Sequence, residues 1–241
     1  LVGLEHRSAW IPRSAAAETE ALGVPVVASA DLLAAHLESV LLRYAHEFVG
    51  IQETRSLLDA LETTHPQLVE ELVPKPVSVP LLADVLSRLV EEGINIRHLG
   101  DILPALATWL RTEKDPVLLT EYCRMALKRQ ITHQFASDLG ALPAILLDHD
   151  IEEAVTESIQ RSEAGSYLAL EPELSREILD AAHQAVTPTL ATGAPAVVLT
   201  RMETRRFVRK LLEVDLPDVT VLSYQELSPD LEIQPVAEIR I

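Results

Sequence analysis

With 241 residues, 48% of them apolar and only 4% aromatic, the chain exceeds one usual domain length and must build its core from Leu, Val, Ile and Ala. That inventory suits packed helices and excludes intrinsic disorder. Acidic side chains outnumber basic ones by 37 to 20, a formal charge of −17, and such a surface repels phosphate backbones and anionic headgroups, which sets nucleic acid aside as a main partner.

The single Cys123 forms neither a disulfide framework nor a cysteine zinc site, which favours a reducing compartment. No run reaches the roughly 18 to 20 apolar residues that a membrane span needs. The start, LVGLEHRSAW, lacks the regions of a signal peptide and also a Met, so the chain reads as a segment of a longer protein with room for a membrane anchor upstream.

In chain order, Ser8 to Ile11 and Val24 to Ala28 are strand candidates around an Ala-rich helix from Arg13 to Leu22, a small α/β opening stopped by Gly23. Ser29 and Asp31 suit the start of a helix running to about Val49. Apolar spacing predicts further helices from Ile51 to Leu61, from Pro66 to about Leu72, from Leu81 to Glu92 with Gly93 closing it, and from His98 to Arg111 with a kink or late start at Pro104. KPVSVP between them reads as a linker turn. Asp115 followed by Pro116 is a strong helix start, with the helix expected to reach about Phe135.

After Asp138 the rhythm changes to short apolar runs between helices: LPAILLD, EEAVTESIQ, SYLAL, a long helix from Pro172 to Leu190, AVVLT, a helix to Glu213, VTVLSY and EIQPVAEIRI. This alternation predicts an α/β unit. The fold class is therefore a helix-rich α+β multidomain chain with its main boundary near residues 136 to 141.

Catalytic patterns are absent from this sequence. Its eight glycines include no GxGxxG or GxxxxGK phosphate loop, and Gly165 with Ser166 lacks the rest of a nucleophile elbow. Asp148, His149, Asp150, Glu152 and Glu153 offer metal donors, but they read better as caps and favourable charges at a helix start. Histidines 36, 46, 65, 98, 133, 149 and 183 are scattered without HExxH. No catalytic residue, metal or cofactor is expected.

Two features suit contact with other proteins. Arg97, His98 and Asp101, and separately Glu121 with Arg124, set opposite charges at helical spacing, as protomer contacts or as solvated faces. Arg201, Arg205, Arg206, Arg209 and Lys210 form the one concentrated basic patch, suited to an acidic partner or to the negative end of their own helix.

The runs SAWIP, EFVGIQETRSLLD, PQLVEELVP, VLSRLVEEGINIRHLGDILPALA, EKDPVLLTEYCRMALKRQI and VLLTRMETRRFVRKLLEVDLPDVTVLSYQEL follow one another over almost the whole chain. In this order they make it resemble the cytoplasmic domain of the export-gate protein of type III secretion, the FlhA/SctV/LcrD family, the injectisome branch more than the flagellar one. The resemblance implies a remnant of subdomain 1 at residues 1–30, a right-handed superhelical subdomain 3 at 31–138 and an α/β subdomain 4 at 139–241. The transmembrane half and subdomain 2 would lie outside the chain.

It further implies a non-enzymatic nonameric ring on the cytoplasmic side of the bacterial inner membrane. That ring would dock chaperone–substrate complexes, the gatekeeper, the ATPase stalk protein and other export-apparatus membrane proteins. Ring contacts are expected from Arg97, Asp101, Glu121 and Arg124, and partner docking from Arg205, Arg206, Arg209 and Lys210. Two other readings are a small-molecule-binding α/β enzyme domain with its site near Thr200 or Tyr224, and a soluble helical adaptor unrelated to secretion.

Overall fold

A computed structural model describes residues 9–137, 140–162 and 165–241. The chain opens with helices α1 (Ala16–Ala21) and α2 (Ser29–Arg43) and a short 3-10 turn, Ala45–Phe48. Neither expected strand forms in residues 9–11 or 24–28, and Ser8 lies outside the described residues. A strand persists by hydrogen bonding to a neighbour, and no described strand lies beside either run.

The helical half follows, with α3 (Ile51–Glu62), α4 (Pro66–Leu72), α5 (Val79–Glu91), α6 (Leu99–Trp109), α7 (Pro116–Ala126) and α8 (Lys128–Phe135). Local chemistry sets most ends. Ser78 Oγ accepts from Leu81 N and Asp115 Oδ1 from Val117 N at 2.9 Å, each with proline in the first turn. Gly93, at φ +71°, closes α5 as its amide donates to Val90 O and that of Ile94 to Leu89 O. This is a Schellman turn, and it fixes Glu92 as the residue that caps the C-terminal end of the helix.

Pro104 stays inside α6, midway along it. The single helix expected from Pro116 to Phe135 is instead two, because ψ of Leu127 opens to 11°. That break lets α8 reach the C-terminal half, where Thr132 Oγ1 accepts from Ser228 N at 2.9 Å.

The α/β half begins at β1 (Ala141–Leu147) and continues through α9 (His149–Glu157), the hairpin β2 (Ile159–Ser162) and β3 (Gly165–Leu168), α10 (Pro172–Ala191), β4 (Val197–Thr200), α11 (Met202–Leu212), β5 (Thr220–Ser223) and β6 (Glu232–Ile239). The four longer-range strands pair in parallel in the order β5-β4-β1-β6.

Strand alternation divides the sheet between two cores. Leu142, Ala144, Val197, Leu199 and Leu222 face the helical half and join Leu86, Leu103, Leu106, Leu119, Leu127 and Ile131. Ile145, Leu147, Val198 and Val221 point the other way, onto Ile178, Ala182, Phe207, Val208 and Leu212 of α10 and α11. The first core therefore runs unbroken from helices to sheet.

Candidate functional site and a buried charge network

The junction of the two halves holds five charged side chains. Glu92 ends α5, Glu121 and Arg124 lie one turn apart on α7, Arg205 sits on α11, and Glu226 follows β5. Arg124, Arg205, Glu121 and Glu226 are all at most 4% exposed, and only Glu92 reaches the surface.

The pairing is crossed between halves. Arg124 donates from Nε and Nη2 to Glu226 Oε2 at 3.0 and 2.7 Å, and from Nη1 to Glu92 at 3.3 Å. Arg205 donates from Nε to Glu121 Oε2 at 2.6 Å, from Nη2 to Glu121 Oε1, and to both oxygens of Glu92. Glu226 Oε1 is completed by Ser223, whose hydroxyl donates at 2.8 Å. Buried charge survives only when paired and hydrogen-bonded in this way.

Burial pushes the Glu92 carboxyl upward, yet the Arg124 and Arg205 guanidiniums outweigh it and hold it at about 2. Burial would likewise lower Arg205, but the three carboxylates keep it well above its ordinary value.

Three of the expected site residues lie in this network. Glu121 and Arg124, expected at a protomer contact, and Arg205, expected in an exposed basic patch, are all buried and spend their charges inside the chain. A signal was present in the sequence. Arg205 falls on the stripe of Val208 and Leu212, and Arg124 on that of Leu127 and Ile131, where a charge implies a buried partner. Glu92 and Glu226 carried no such mark.

The rest of the basic patch is also largely engaged. Arg209 Nη1 donates to Val219 O at 2.8 Å, Lys210 pairs with Glu213, and Arg206 lies 4.5 Å over the Phe207 ring. On α6, Asp101 is exposed and accepts from Gln130 Nε2 at 2.7 Å, while the exposed Arg97 side chain has no ion pair among the described residues.

At the carboxyl ends of the strands, a ligand site would need open space and free amides. Glu152 occupies that place: Oε1 accepts from Thr200 Oγ1 at 2.8 Å and from Arg201 N at 2.9 Å, and Oε2 pairs with Arg201 Nε at 2.9 Å. Glu226 does the same behind β5. The crevice near Thr200 and Tyr224 is thus stoppered by the protein's own carboxylates, and two surface depressions lie elsewhere, between α10 and β6 and between α4 and α6.

Asp148 caps α9 through Asp150 N at 2.8 Å, as expected of a capping residue. His149 Nδ1 accepts from Arg201 Nη2 at 3.0 Å, which leaves Nε2 to face Glu153 at 3.2 Å. Among the described residues no group of three or more His, Cys, Asp or Glu side chains is placed to hold a metal, and no helix is long and apolar enough to cross a membrane.

Residues 3–232 match the FHIPEP family. The chain belongs to that family. It is 40% identical over 209 residues to the low calcium response locus protein D of Yersinia pestis, a match covering 87% of this chain but 30% of that protein. It therefore spans about a third or less of the length of such relatives.

Among solved structures, the family resemblance extends to the Chlamydia pneumoniae CdsV protein at 39% identity, TM-score 0.84, with 98% of this chain and 68% of that one covered. CdsV has also been solved in complex with CdsO. The nonameric EscV cytosolic domain from the type III secretion system matches at 36% identity and TM-score 0.77, over 89% of this chain and 63% of that one. The helix-rich fold with its small parallel sheet is the fold of these family members.

Proposed function

We propose that this chain is the cytoplasmic-side part of a type III secretion export gate anchored in the bacterial inner membrane, and that it acts by ring assembly and docking rather than by catalysis. The observation that carries the reading is the likeness, over most of the chain, to the EscV cytosolic domain, which forms a nonamer. The division into a subdomain 1 remnant, a helical subdomain 3 and an α/β subdomain 4 belongs to this proposal.

Within it, Arg97 and Asp101 are the remaining candidates for protomer contacts, because both are exposed and Arg97 has no ion pair among the described residues. The CdsV–CdsO complex supports an ATPase-stalk partner, with Arg206 and Lys210 as exposed or half-exposed cations open to it. Chaperone–substrate complexes and the gatekeeper are further proposed partners, resting on the family resemblance. The stoppered crevice at the strand ends weighs against a small-molecule enzyme.

Tethering the chain to chelating-lipid vesicles at rising density and imaging the surface by electron microscopy tests the reading. Closed rings are expected for the wild type, and Arg97→Glu should remove or strongly reduce them. A wild type that stays monomeric at every density rejects ring assembly, whereas rings that persist in Arg97→Glu reject only the assignment of Arg97.

A further inference from the structure

We propose that the five-residue charge network is a reciprocal latch that fixes the orientation of the α/β half against the helical half, so that the two move as one body. Such a latch is independent of the proposed partners. Its pairing is crossed: Arg124 of the helical half is gripped by Glu226 of the α/β half, and Arg205 of the α/β half by Glu121 and Glu92 of the helical half.

Stability alone does not account for such an arrangement. Desolvating ions costs several kcal/mol each, and apolar side chains of similar volume commonly hold a seam as well or better. An apolar seam already surrounds the network, with Leu127 and Ile131 against Leu142, Leu222 and Leu227. Apolar contacts, however, are non-directional and tolerate sliding.

Forked guanidinium–carboxylate bonds do not tolerate it, because both arms need in-plane alignment. Arg205 spreads four such bonds over two carboxylates from different helices, α5 and α7, so a shift of α11 along either one breaks bonds to the other. Glu92 is itself fixed by the Schellman turn at Gly93, and Glu226 by Ser223. Three carboxylates face two guanidiniums, and Arg209, one turn from Arg205, also acts on Glu92 to offset the excess charge. The directional part of the joint is therefore the ionic part.

The test places spin-label pairs across the joint, through Asp59→Cys on α3 and Glu173→Cys on α10, both exposed, and within the helical half, through Asp59→Cys and Arg129→Cys. Native Cys123 is fully buried and its thiol is pushed up to about 12, which keeps it protonated and unlabelled. Distances are read by pulsed electron resonance in wild type, Arg124→Met and the isosteric Glu226→Gln.

The expected result is a single narrow cross-joint distribution in wild type that broadens or splits in the variants, with the within-half distribution unchanged. A cross-joint distribution that stays narrow in Glu226→Gln overturns the latch, since the apolar seam then suffices. Loss of the within-half distribution in Glu226→Gln also overturns it, because the network would then be holding up the helical half itself. If Arg124→Met fails to fold, Glu226→Gln decides.

Discussion

Arg205 shows how much one side chain's meaning depends on what lies opposite it. On its own helix it belongs to a run of cations, yet it is fully buried, and its charge is balanced by α5 and α7. Removing it by Arg205→Met leaves Glu121 without its guanidinium, and breaking a buried pair from one side costs about 3–5 kcal/mol. Chemical denaturation should show that loss, while Lys210→Met on the same helix should change little, as its exposed pair with Glu213 contributes at most about 1 kcal/mol.

Glu92 adds a pH signature. Its folded-state pKa is depressed from 4.5 to about 2, so its contribution is fully present above 4.5 and disappears as pH falls toward 2. Denaturation midpoints measured between those values should drop more steeply in wild type than in Glu92→Gln, and equal slopes would show that Glu92 does not carry the effect.

Among the elements, the ends of helices were legible because they are written in local chemistry. Asp115 followed by Pro116 starts α7, and Gly93 ends α5, as their sequence contexts demand. Asp115→Ala should cost about 1 kcal/mol as the cap is lost. Gly93→Ala meets no steric neighbour but must adopt φ +71°, a left-handed conformation costing an L-residue roughly 1–2 kcal/mol. It should also loosen Glu92, so its cost measured with Arg124 and Arg205 in place should exceed its cost in an Arg205→Met background.

The break at Leu127 was not legible, since neither proline nor glycine marks it. It arises from α8 turning to meet the segment after β5. The expected strands at residues 9–11 and 24–28 failed for a related reason: alternation gives a segment the capacity to pair, but a partner strand has to be there.

For the whole molecule, the first 40 or so described residues stand apart from the rest. No residue of α1, α2 or the turn Ala45–Phe48 is buried, and Trp10, Leu22, Leu33, Leu37 and Phe48 are well exposed. Among the described residues, the first hydrogen bond that joins this region to the body is the one Ser87 Oγ donates to His46 O. A chain starting at Tyr44 should therefore unfold at the same temperature as the complete one and bind less of a hydrophobic dye. A clear fall in the unfolding temperature would show that α2 supports the core.

The sequence by itself determined the helix-rich α+β class, the switch from helices to strands near residue 140, and the membership of the family. These follow from periodicity, caps and ordered motifs that each residue carries with it. Only the tertiary structure decided which charges are free. Whether a glutamate or arginine faces water or a counter-charge depends on residues up to 113 positions away, as for Glu92 and Arg205, and no local pattern records that meeting.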